Sequence, residues 1–152
     1  MAAPSGVVGA ERLRTGSRPV LLATLDVPFD EEATAFAVDA AVESGQPLIV
    51  ANCVELPPLP LSVVLGYDHI EDPEDTAAIR APAELAHAFG VQVELLRVKG
   101  VRPVTALLDL VAERAPGLLV FGPDRSRLGR RAYRSAAKAV RDKAGCLVWL
   151  GS

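Results

Sequence analysis

Apolar residues along this chain gather into five short runs, and each of the first four is followed by a stretch with helical spacing. The runs are residues 19–25 (PVLLATL), 47–54 (PLIVANCV), 91–98 (VQVELLRV), 118–121 (LLVF) and 146–150 (CLVWL). Four of them are near-continuous, the form taken by strands buried on both faces of a parallel sheet. The 91–98 run alternates instead. Val91, Val93, Leu95 and Arg97 fall on one face, and Gln92, Glu94, Leu96 and Val98 on the other. After the first run, Asp30 is an N-cap candidate, and Glu31 and Glu32 suit the positive end of a helix dipole. Ala33, Phe36, Ala37, Ala40 and Ala41 then recur at helical spacing, and Gly45 is a stop.

A second helix is predicted from Asp72, Pro73 and the acidic residues behind them, with Ile79, Ala83, Ala86 and Phe89 as its buried stripe and Gly90 as its end. Pro82 within it removes a backbone bond, so it kinks the helix or marks its true start. A third follows the turn Gly100, Val101, Arg102, Pro103, burying Val104, Leu107, Leu108 and Val111. A fourth, basic and Ala-rich, spans residues 130–143 and stops at Gly145. Residues 55–67 contain Pro57, Pro58, Pro60 and Gly66 and read as one long, rigid connection.

Strict alternation of strand and helix predicts an α/β protein: a three-layer α/β/α domain with a five-stranded parallel sheet and right-handed crossovers. At 152 residues the chain is one domain, with residues 1–18 a loose tail and 19–152 the folded part. Half the residues are apolar but few are aromatic, so Ala, Val and Leu must fill the core. The net charge of −3 gives no general reason to expect nucleic acid or a membrane surface as partner. Its distribution is uneven, because eight of the sixteen Lys and Arg residues lie within 125–143. Cys53 and Cys146 each sit in an apolar run and read as buried thiols. No apolar stretch approaches the ~20 residues of a membrane span, so a cytoplasmic chain is expected.

Ligands of open α/β sheets gather at the carboxyl ends of the strands, which singles out Asp26 and the loop 122–129. Asp26 is placed to accept from a base amide or ribose hydroxyl, to hold a metal through water, or to cap the next helix. Gly122 lets backbone approach a phosphate, or is a plain strand-ending turn, and Pro123 removes one donor that a phosphate nest would use. Arg125, Arg127, Arg130, Arg131 and Arg134 are either phosphate partners or a solvated basic face. Neither a P-loop nor a dinucleotide fingerprint is present. His69 and His87 lack metal-ligand spacing, and no Gly-x-Ser-x-Gly elbow occurs, so catalysis by side chains is not expected.

From residue 19 to 150 the chain resembles the universal stress protein family, part of the adenine-nucleotide α-hydrolase-like group. Leu21, Leu22, Ala23, Thr24, Leu25 and Asp26 resemble its first strand with the terminal Asp; Gly100 to Val104 resemble its Gly-x-Pro turn. Leu118, Leu119, Val120, Phe121 and Gly122 resemble its fourth strand, and Cys146, Leu147 and Val148 its last. The resemblance implies sheet order 3-2-1-4-5, a small bacterial stress-response protein, and a homodimer paired through Leu147, Val148, Trp149 and Leu150, with a further protein partner of unknown identity.

ATP-binding members carry Gly, two residues, Gly, nine residues, then Gly with Ser or Thr. Here Gly122 matches the first position, Arg125 stands at the second, and a one-residue deletion places Arg134 and Ser135 at the last pair. Gly129 lies in the same loop as a partial substitute. The resemblance therefore implies a non-enzymatic regulatory domain with weak or lost ATP binding. The alternative is a nucleotide switch binding ATP with Mg²⁺ and hydrolysing it slowly. It would use Asp26, Val54 at the adenine, Gly122, Gly129, Ser135 and the Arg125 guanidinium. A phosphoacceptor receiver domain shares the alternation but wants a Lys after the last strand, and residues 146–152 contain none.

Overall fold

The five apolar runs form five parallel strands of one sheet, in a computed structural model that describes residues 17–56, 66–69 and 77–151. They are β1 (Val20–Thr24), β2 (Leu48–Glu55), β4 (Val93–Gly100), β5 (Leu118–Phe121) and β6 (Leu147–Trp149). The sheet order among them is β4-β2-β1-β5-β6, which is third, second, first, fourth, fifth of the predicted strands. Register places Val20 beside both Leu48 and Leu118, so β1 is central and apolar on both sides. Its burial is complete from Val20 to Thr24.

A sixth strand was not anticipated. β3 (Gly66–His69) lies in the stretch read as a connection and pairs antiparallel with β4, Gly66 opposite Lys99 and His69 opposite Leu96. Its sequence, Gly-Tyr-Asp-His, has no apolar run, so the pairing comes from the free edge of β4 and not from local pattern. The prolines at 57, 58 and 60 and the cap at Asp72 and Pro73 lie outside the described residues.

The helices cover both faces. α1 (Glu31–Ser44) and α2 (Ala77–Ala88) pack on Leu22, Val50 and Val120; α3 (Pro103–Arg114) and α5 (Arg130–Lys143) pack on Leu21, Ile49 and Leu119. α1 starts as expected: the Asp30 carboxylate accepts from the Ala33 N–H at 3.0 Å, and Gly45 closes it at φ 69°. Its buried positions are Ala33, Thr34, Ala37, Val38 and Ala41, so the helix lies close on the sheet. Phe36, one of the apolar residues at helical spacing, is 37% exposed and stacks on Trp149 of β6 at 4.6 Å. In α2 the helix runs through Pro82, which is itself buried, and Phe89 is 59% exposed just past the helix end. The fourth buried member of that stripe is thus the proline, whose ring supplies apolar surface to the core side of the helix. In α3, Leu110 is buried with Leu107 and Val111, and Leu108 is only half-buried.

The chain preceding β1 is tied down at its last described residues. The Ser17 hydroxyl and the Arg18 N–H both donate to Gln46 Oε1, at 2.8 and 2.9 Å. Among the described residues no helix is long and apolar enough to cross a membrane.

Cys53 sits in β2 within the core, and burial pushes its thiol up to about 12. A raised folded-state pKa means that the unfolded chain releases this proton first. The associated stability is intact below pH ~8.5 and is lost as pH rises from there toward 12. Replacing Cys53 with Ala should flatten the alkaline limb of a stability–pH curve by one proton, about 1.4 kcal/mol per pH unit. Denaturant melts of both proteins between pH 8 and 10.5 test this, and parallel limbs would show that the thiol is not shielded.

Candidate functional site

At the carboxyl edge, β1 and β5 end side by side, and the loops that follow them zip together. The Gly122 N–H donates to Ala23 O at 2.9 Å, its carbonyl accepts from the Asp30 N–H at 2.9 Å, and the Asp124 N–H donates to Pro28 O at 2.9 Å. The Gly122 and Asp124 N–H groups are thus already used and are not free to meet a phosphate. A Cβ at Gly122 would stand 2.4 Å from the Ala33 Cβ and 3.3 Å from Leu22 Cδ1. The glycine is therefore what lets α1 lie against the end of β5.

The loop after Pro123 contains a helical turn the pattern did not reveal, α4 (Arg125–Leu128). The Asp124 carboxylate accepts from the Ser126 N–H at 3.0 Å and its hydroxyl at 2.7 Å, and these bonds hold the carboxyl below its usual range. Gly129 joins α4 to α5 at φ 95° and ψ 148°, a region open to glycine alone. Its role is to turn the chain between two helices.

Arg125, at the position of the second cradle glycine, folds back over the protein. Its guanidinium lies 4.1 Å from the Tyr133 ring centroid and donates to Tyr133 Oη at 2.9 Å and Leu150 O at 3.1 Å. The Tyr133 hydroxyl in turn donates to Leu150 O at 2.6 Å, and its ring stacks on Phe121 at 5.8 Å. Tyr133 was missed in the sequence. With Ala136, Ala137 and Val140 it makes an i, i+3, i+4, i+7 stripe on α5, the one signal that could have revealed it.

Asp26 follows β1 in the left-handed region, at φ 57°. Asn52 holds it there, its side-chain oxygen accepting the Asp26 N–H at 2.8 Å, and the Thr24 hydroxyl donates to Val27 O at 2.8 Å. Among the described residues no partner engages the exposed Asp26 carboxylate. Val54 is 7% exposed near the end of β2, opposite Lys99. Ser135 is exposed on α5, beyond the first turn whose amides are free to bind an anion.

The predicted residues are thus only partly brought together. Gly122 and Arg125 share a cleft of about 170 Å³ with Ser126, Tyr133 and three carboxylates, Asp30, Glu32 and Asp124. Asp26, Val54, Gly129 and Ser135 do not line it. The cleft is smaller than the ~300 Å³ or more common for ligand pockets, and three carboxylates stand with one guanidinium in its lining.

An α/β/α domain with a 3-2-1-4-5 parallel core, its β1 and β5 loops meeting at the carboxyl edge of the sheet, defines the class. The family model for the universal stress protein family matches residues 16–150, and the chain belongs to that family. No curated protein matches the sequence. Solved structures of similar fold include the Archaeoglobus fulgidus universal stress protein in complex with dAMP. It is 22% identical, has a TM-score of 0.61, and the match covers 87% of this chain and 95% of that one. A universal stress protein in complex with cAMP shares 20% identity at TM-score 0.61, over 91% and 99% of the two chains. An Arabidopsis thaliana family member with AMP bound shares 16% at TM-score 0.53, over 86% and 88%.

Proposed function

We propose that this protein is a non-enzymatic stress-response regulator in which the triphosphate cradle has been closed by the chain's own groups, so that it acts through a protein partner. The observation that carries this reading is Arg125, which spans the Tyr133 ring and the Leu150 carbonyl in place of an open, glycine-lined loop. The committed Gly122 backbone and the acidic lining of the small cleft support it. Calorimetric titration with ATP and Mg²⁺ should give no binding heat, and a denatured aliquot should release no nucleotide. Micromolar ATP affinity abolished by Ser135→Ala would sink the reading.

A second reading keeps an adenine nucleotide as switch, and Asp26 is the observation in its favour. A non-glycine residue held at positive φ beside a strand end, with its carboxylate unengaged, is the kind of strain that collects at functional positions. The family members bound to dAMP, cAMP and AMP add support, because a monophosphate does not require the triphosphate cradle. Parallel titrations with AMP and cAMP separate the two readings: heat that disappears on Asp26→Ala favours the switch.

Pairing of two copies through β6 belongs to the same proposal. β6 is a sheet edge, and Leu147 on it is 73% exposed. Leu147→Lys should convert a dimer to a monomer in light scattering. A monomeric parent protein, or a dimer mass unchanged by the substitution, would remove this edge as the interface.

A further inference from the structure

The whole-chain charge of −3 averages two unlike regions. Residues 124–143 hold eight Lys and Arg against two carboxylates, a local charge of +6; the remainder holds eight cations against seventeen carboxylates, −9. Folding concentrates the positive part further. Arg130, Arg134, Lys138 and Arg141 of α5 line an open groove of about 640 Å³ together with Ala137, Leu150 and Arg125, whose guanidinium is already engaged by Tyr133 and Leu150. Steps of four, four and three residues keep the four cations on one side of α5, in a row roughly 16 Å long. No carboxylate lines the groove among the described residues. Asp142, just outside it, pairs with Lys138 at 2.9 Å and Arg141 at 3.5 Å.

We propose that this groove binds the phosphate backbone of a single-stranded nucleic acid. Three of the four α5 cations are arginines, whose planar fork matches phosphate oxygens. A stacked strand presents a phosphate every ~3.4 Å of its axis, so the row faces about five of them. An acidic protein is the weaker fit. Protein interfaces draw their energy from buried apolar anchors, and among the described residues the exposed large hydrophobics are Phe36, Val42, Phe89, Val101 and Leu147, none of them on α5. A bilayer fits less well again, because the apolar face of α5, with Ala136 and Val140, is turned into the core. Recognition is of backbone and not of bases: Arg125 covers one side of the Tyr133 ring and Phe121 stacks against it, so no aromatic face is left for base stacking. This surface functions the same whether or not the carboxyl edge holds a mononucleotide.

The test is fluorescence anisotropy of a labelled 20-nucleotide oligo(dT) and a mixed-sequence RNA of equal length, from 25 to 200 mM KCl. Both should bind with similar affinity, with a log–log salt slope of about −3, four contacts at ~0.7 each. Arg134→Ala should weaken binding roughly five- to tenfold at the lowest salt and reduce the slope by about 1. Asp142→Asn should tighten it several-fold by freeing Lys138 and Arg141, an opposite sign that no loss of folding can produce. Arg102→Ala, an exposed cation outside the groove, should change nothing. No anisotropy change at 25 mM KCl, or equal weakening by Arg102→Ala, would overturn the proposal. Displacement by polyglutamate of matched charge would overturn it in favour of an acidic protein, and displacement by phosphatidylserine vesicles in favour of a membrane.

Discussion

Replacing Gly122 with Ala should cost about 3 kcal/mol of stability, at the upper end of what overpacking a core produces. The added methyl would stand 2.4 Å from the Ala33 Cβ, well inside contact distance. Neither group has a rotamer through which to escape, since both are Cβ atoms fixed to backbone. Relief requires α1 to move away from β5, yet the Gly122 N–H and carbonyl are bonded to Ala23 O and the Asp30 N–H. Shifting either segment stretches those bonds and loosens the N-cap of α1. A domain whose whole stability is ~5–15 kcal/mol would lose a large fraction of it. The double variant Gly122→Ala with Ala33→Gly isolates the contact. Glycine within a helix costs roughly 1 kcal/mol by itself, so recovery of more than half the loss would identify the collision as its cause. Chemical denaturation of the four proteins measures the cycle. A Gly122→Ala protein as stable as the parent would mean that the glycine is there for a ligand.

Phe121→Ala should be more damaging still, about 3–5 kcal/mol, because it removes a large side chain that is 1% exposed at the end of β5. Its second consequence reaches the candidate site. Phe121 stacks on Tyr133, Tyr133 carries the Arg125 guanidinium, and both donate to the Leu150 carbonyl. Losing the ring should therefore release α4 as well as weaken the core. Amide hydrogen exchange separates the two effects: protection at residues 126–129 should fall further than the global loss requires. Tyr133→Phe is the milder companion, keeping the ring and removing two hydrogen bonds, for about 1–2 kcal/mol. If exchange in α4 follows only global stability in Phe121→Ala, the loop is not held through this stack.

Most of the fold was legible because it is written in local signals. The buried runs, the Asp30 cap, the stop at Gly45 and the fourth helix over 130–143 each depend on residues within one or two turns of one another. The sheet order came from family resemblance rather than periodicity, and it holds for the five parallel strands. Where reading failed, a distant partner had decided. Helical spacing grouped Phe36 with the alanines of its helix, but its neighbour is Trp149, more than a hundred residues on. β3 has no apolar run and exists as a strand through its pairing with β4.

The candidate site was less legible for the same reason. Gly122, directly after a buried strand, read as a phosphate approach or a plain turn; the group that approaches it is Ala33, from a helix eighty-nine residues earlier in the chain. Arg125 looked like a phosphate partner on charge alone; the fold supplies Tyr133 and Leu150 to occupy it. The amino-acid sequence by itself determined the alternation of elements, their caps and the positions lacking a side chain. Only tertiary structure decided which groups those positions meet and which charges share a groove, because such contacts join residues that no local window contains.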